Sequence, residues 1–200
     1  MTMIKTYRRD DEGVLWYREI WRDGTMMVTH TGKVGTKGKV SGQRLQSSDW
    51  PNKPTEKEQL ATFREGAAAD GYAEIDEDDM GWAVLQYWTA SPDFSDPADA
   101  RFLDEAENAL DTRLGWLGLG HCDGNDIGGA PPEASGREGT VVNLFCPVVD
   151  TAIAARALRR FATEQELAPH CAVGTREPTE GADYELAWTP QRGVLKEFTL

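Results

Sequence analysis

The sequence predicts an α+β protein built from two successive parts. Three observations carry this. The stretch "VLWYREIWRDGTMMVTHTG" joins two runs of aromatic and branched residues through Asp23-Gly24, and a capped helical pattern follows it. From residue 82 onward, short apolar runs alternate with amphipathic helical ones. Charge is also split along the chain, whose net charge is −13: residues 1–75 hold 12 basic and 11 acidic side chains, whereas the rest hold 9 against 23 and carry all of the acidic excess.

In the first part, Trp, Tyr, Ile, Val and Met favour strands, and the Asp-Gly pair supplies the positive φ of a tight hairpin turn. A second turn falls at "GTKG", Gly35 to Gly38, and "KVSGQRLQ" is a third strand. Beyond the loop "SSDWPNKP", Thr55 with Glu58 three residues later forms a capping box that starts a helix. Leu60, Phe63 and Ala67 share one face at helical spacing, and Gly71 stops the run. The expected unit is a small twisted antiparallel sheet with one helix on it, spanning residues 1–75. The acidic stretch at 76–81 reads as a linker.

The second part, 82–200, opens on "WAVLQYW", a continuous apolar strand. A helix follows with Asp96 as N-cap, Pro97 at its first position, a stripe of Phe102, Ala106 and Leu110, and Gly115 as terminator. Next come a strand at "WLGLGHC", a turn-rich loop "DGNDIGGAPPEASGREG" and a buried strand "TVVNLFCPVV". Asp150 caps a helix lined by Ile153, Ala157, Leu158 and Phe161, and "HCAVGTR" with "DYELAWT" reads as a hairpin. The order β-α-β-β-α-β with one extra strand is that of a ferredoxin-like split βαβ sandwich. Two helices on one face leave the other to solvent, a dimer mate or the first part.

Between Asp23 and Asp49 no acid occurs, while Lys33, Lys37, Lys39 and Arg44 do. With Gly32, Gly35 and Gly38 among them, these residues form a candidate phosphate-facing ribbon: the side chains supply charge and the glycines let backbone N–H groups approach an anion. Four cations support only a weak, salt-sensitive contact with DNA. Trp50, in a Pro-flanked loop, is the tryptophan expected to be exposed and to anchor a partner, whereas Trp16, Trp21, Trp82, Trp88, Trp116 and Trp188 fall in predicted strands.

The stretch "MMVTHTGKVGTKGKV" with the helix end "FREGAAADGYAEI" resembles the WGR domain, a module found in poly(ADP-ribose) polymerases and many bacterial proteins. Its pattern runs as an aromatic strand, Trp-Gly-Arg-Val-Gly-x-x-Gly, a short strand and a helix closing in Gly-Tyr. Gly32, Val34, Gly35, Gly38, Gly71 and Tyr72 fall on it, while Thr31 and Lys33 stand where the family has Trp and Arg. The resemblance covers about 70 of the 200 residues and implies binding to DNA ends or contacts between domains. The second part is similar to an uncharacterised bacterial domain in which "GHCDGNDIGG" and "VVNLFCPVVD" recur.

Other chemistry finds less support. Cys122, Cys146 and Cys171, an odd number of thiols, suit a reduced compartment. His121-Cys122, His170-Cys171 and Cys146 lack zinc-motif spacing, and Asp123 with Asp126 lacks the remaining acids of an EF-hand, so no metal ligand is assigned. No nucleophile elbow, P-loop, Rossmann fingerprint or H-E-x-x-H is present. No apolar run nears the roughly 18–20 residues of a membrane span, and "MTMIKTYRRDDEG" has no apolar signal core. The expectation is a cytoplasmic, non-catalytic binding protein without cofactors. Its partner is DNA through the ribbon or, alternatively, a basic protein or a second copy through the acidic part.

Overall fold

The structure is a computed structural model that describes residues 3–89, 91, 93–130, 139–190, 195 and 197–200. The protein is mixed α+β and divides into two compact units, Met1–Asp76 with Trp116–Gly118, and Glu77–Gly115 with Leu119–Leu200. None of the described helices is long and apolar enough to cross a membrane.

The first unit is a four-stranded antiparallel meander, β1 (Met3–Arg9), β2 (Leu15–Asp23), β3 (Met26–Lys33) and β4 (Lys39–Arg44), followed by α1 (Glu56–Ala69). Strand β1 was missing from the sequence expectation, because its apolar alternation is diluted by Thr6, Lys5 and two arginines. The β2–β3 loop is Gly24-Thr25, one residue further on than an Asp23-Gly24 loop, since Asp23 and Met26 are paired. Ile4, Ile20, Met27 and Leu45 form a buried cluster against which Leu60 and Phe63 of α1 pack. The capping box is complete: the Thr55 hydroxyl accepts from the Glu58 N–H, and the Glu58 carboxylate accepts from the Thr55 N–H at 2.7 Å. Helix α1 ends at Asp70, and Gly71 turns the chain at φ +77°, so that Ala73 exchanges backbone hydrogen bonds with Tyr7.

The second unit contains β5 (Gly81–Trp88), α2 (Pro97–Trp116), β6 (Gly124–Ala130), β7 (Gly139–Val148), α3 (Thr151–Glu164), β8 (Cys171–Arg176) and β9 (Glu185–Trp188). Its sheet is antiparallel throughout, in the order β6-β7-β5-β8-β9. Two sequence expectations are corrected. "WLGLGHC" is not a strand: α2 continues through Gly115 to Trp116, and only an isolated bridge joins Gly120 to Val148. The strand lies instead in the glycine-rich stretch read as a loop, where backbone pairing to β7 alone suffices to hold a sheet edge. The remainder of that loop, 131–138, lies outside the described residues.

Alternation along β5 divides the two faces of this sheet. Tyr87 meets Phe102 of α2 at 5.5 Å, and Arg113 of α2 reaches both Glu164 and the Phe161 ring of α3, so the helices lie side by side on one face. On the opposite face, Val84 and Ala172 form a buried cluster with Leu195 and Phe198. Two of the chain's own C-terminal residues therefore cover this part of the second face. Gly174 makes this possible, because a Cβ there would lie 2.4 Å from the Phe198 ring. Gln86 secures the same segment, donating to the Thr199 carbonyl and to Asn143 at 2.9 Å each.

Phe198→Ala is expected to cost about 3 kcal/mol in chemical denaturation, the loss typical of a buried aromatic. The substitution of exposed Leu200 by Ala should lie within about 0.5 kcal/mol of wild type.

Candidate functional site

The ribbon sits on a buried polar network. Glu19 and His30 are opposed across β2 and β3, and both are almost fully buried. His30 Nδ1 lies 2.6 Å from Glu19 Oε1, and Lys5 Nζ lies 3.3 Å from Glu19 Oε2. On its other side His30 Nε2 is 2.7 Å from the Lys37 carbonyl, which can only accept, and 2.7 Å from the Tyr17 hydroxyl. That hydroxyl in turn donates to the Thr36 carbonyl at 3.2 Å. The ribbon's turn is thus tied at Thr36 and Lys37 to groups inside the sheet. Burial, with the Glu19 charge beside it, pushes the Tyr17 phenol well above its usual range, so it stays a neutral donor.

The glycines serve this packing. A Cβ on Gly38, where φ is +60°, would lie 2.3 Å from the Tyr17 oxygen, and one on Gly32 would lie 2.7 Å from the Gly38 Cα. Gly118 presses on the Tyr17 ring from another side, and Trp116 sets its ring edge-on to His30 at 4.9 Å. The N–H of Gly35 donates to the Leu117 carbonyl at 2.8 Å and is not a free anion donor.

Lys33, Lys37 and Lys39 do converge. With Gly32, Gly38, Thr31, Thr36 and Arg18 they line a cleft of about 600 Å³ whose apolar surfaces are Trp16, Tyr17 and Tyr72. No carboxylate lies within ion-pair distance of these lysines among the described residues. Arg18 was not singled out from sequence. It pairs with Asp70 at 2.6 Å and lies over the Tyr72 ring at 4.3 Å, so it enters the cleft already oriented. Arg44 is elsewhere: paired with Met26 at the far end of β4, it stacks over Trp50, which is 46% exposed. Trp116, expected in a strand, ends a helix and is 44% exposed.

The second unit gathers chemistry that motif spacing did not reveal. Cys122 and Cys146 are neighbours: a hydrogen bond from the Cys146 thiol holds Cys122 below the usual thiol range, while burial pushes Cys146 well above it. Cys171 stands apart, and burial pushes it up to about 12. Asp123 and Asp126 do not share a loop site, since Asp126 lies on β6 beside Asn143. Asp123 instead joins His121 and Glu77, with one potential ligand atom from each lying within 4.8 Å of the others.

No protein-family model, curated protein or solved structure gives a match to this chain.

Two measurements test this geometry. His30→Ala leaves the buried Glu19 carboxylate without its hydrogen-bond partner and is expected to cost about 3 kcal/mol by urea denaturation. Iodoacetamide at pH 7.5 with peptide mass spectrometry should label Cys122 first and leave Cys146 and Cys171 largely unmodified while the protein is folded, because the thiolate is the reactive form.

Proposed function

We propose that this is a non-catalytic binding protein whose first unit is a WGR-like module contacting the phosphates of nucleic acid. The observation that carries the reading is the cleft in which Lys33, Lys37 and Lys39, free of carboxylate partners among the described residues, flank aromatic surface. Like charges held close without counter-charges repel one another, and an anionic ligand relieves that repulsion. Half-buried Trp16 offers a flat face for a base and is fixed by donation from its indole N–H to Asp10 at 2.8 Å. Lys33 stands at the position of the family's Arg and retains its charge; Arg18 adds a further cation from β2. The WGR-like reading is also supported by the order of strand, glycine turn, short strand and helix ending at Gly71-Tyr72.

In the second unit, β5 to β8 lie in the order 4-1-3-2 when numbered along the chain and read from β8. That order supports a ferredoxin-like reading with β9 as the added strand. A second function is favoured by the surface of α2, where Asp104, Glu105 and Asp111 are exposed together: docking of a basic protein. Homodimerisation through the sheet's second face has less support, since Leu195 and Phe198 occupy it.

The test is fluorescence anisotropy of the full chain with nicked and blunt duplex DNA at two salt concentrations. Wild type is expected to bind in the range of about 10⁻⁴ to 10⁻⁶ M, weakening as salt rises. The Lys33/Lys37/Lys39→Ala variant should flatten the slope of log K against log salt by about 2 to 3 units, roughly 0.9 for each phosphate no longer neutralised. Absence of binding at low salt overturns the nucleic-acid reading and moves the search to basic partners of α2.

A further inference from the structure

We propose that Glu77, His121 and Asp123 form a three-ligand site for a divalent transition-metal ion of the Zn²⁺ class. The residues come from two separate places. Glu77 opens the short 3₁₀ turn ahead of β5, whereas His121 and Asp123 stand two residues apart in the segment between α2 and β6. Their ligand atoms nevertheless converge to within 4.8 Å of one another, and His121 Nε2 is 4.0 Å from Asp123 Oδ1. Ligands held tetrahedrally around one Zn²⁺ at about 2.0 to 2.2 Å lie about 3.3 to 3.6 Å apart, so closure needs movements of up to about 1.5 Å, within reach of rotamer adjustment by partly exposed side chains.

The backbone presenting them is already held. Gly120 bridges to Val148, the Cys122 N–H donates to Asp111 at 3.1 Å, and the Asp123 N–H donates to the Phe145 carbonyl at 2.9 Å. Glu77 is fixed by the turn its carbonyl closes with the Met80 N–H at 3.0 Å. Binding therefore orders only three side-chain tips. Two carboxylates with a neutral imidazole carry charge −2, matching a divalent ion. The nitrogen donor favours Zn²⁺, Ni²⁺ or Cu²⁺ over Mg²⁺ and Ca²⁺, which prefer all-oxygen shells. Three protein ligands leave a coordination position for water or an added ligand. Room exists beside it: Asp123 borders a depression of about 290 Å³ whose walls are Trp82, Phe145, Arg176 and Tyr184.

The Cys122–Cys146 pair is the nearby competitor for such ions, and the experiment separates the two. Zn²⁺ binding to the full reduced chain is measured by isothermal titration for wild type, His121→Ala, Asp123→Asn and Cys122→Ser, with circular dichroism to confirm that each variant is folded. The expected result is one equivalent bound by wild type and by Cys122→Ser, with affinity at least about tenfold weaker in the other two. The Co²⁺ complex should lack a thiolate charge-transfer band. No binding by folded wild type overturns the site, as does binding that survives His121→Ala but is lost in Cys122→Ser. Neither outcome bears on the lysine cleft, which the DNA titration tests alone.

Discussion

The first unit is organised by one buried constraint: Tyr17 and the Glu19–His30 pair must be satisfied without water. Desolvating a carboxylate costs several kcal/mol unless it is paired and hydrogen-bonded, and here Lys5 and His30 share Glu19 between them. The far side of His30 then needs an acceptor, which is the Lys37 carbonyl, and Tyr17 needs one too, which is the Thr36 carbonyl. The glycine-rich turn is drawn down onto the sheet by these bonds. Gly32, Gly38 and Gly118 follow from the same constraint, because each is a place where a Cβ would enter the space of Tyr17 or of the ribbon backbone.

That arrangement accounts for an acid-free lysine ribbon in an acidic chain. The turn's carbonyls face inward to the network, so its side chains project outward, and Lys33, Lys37 and Lys39 are left around one cleft. The nearest buried acid, Glu19, is occupied by Lys5 and His30 and lends the ribbon no counter-charge. Arg18 is steered into the cleft by Asp70 and Tyr72, at the end of α1. A basic surface can thus coexist with a net charge of −13, since the acidic excess belongs to residues beyond 75.

The second unit is arranged differently. Helices α2 and α3 cover one face of its sheet, and Leu195 and Phe198 pack on the other, so apart from the acidic surface of α2 its chemistry gathers at edges and connections. The segment between α2 and β6 is the richest of these. Within three residues it places His121 and Asp123 beside Glu77, and Cys122 beside Cys146.

Much of this was legible in local sequence. The capping box at Thr55, the cap at Asp150, the buried strands β5 and β7 and the exposure of Trp50 rest on short-range rules of propensity, hydrogen bonding and periodicity, which act within a few residues. The candidate site was legible only in part. Three lysines of the ribbon share a cleft, but Arg44 does not, because antiparallel pairing carries it along β4 to the Met26 end. The Glu19–His30 pair was within reach of sequence reasoning: a two-residue loop at Gly24-Thr25 sets them opposite each other, whereas a loop at Asp23-Gly24 does not, and one residue of slip re-pairs the whole hairpin. Helix α2 overran Gly115 because burial of Leu110 and Leu114 outweighs the roughly 1 kcal/mol that glycine costs a helix. Strand β6 and the meeting of Glu77 with His121 and Asp123 were decided by tertiary structure alone. They depend on which backbone lies beside which, and groups brought together from distant parts of the chain leave no local pattern to read.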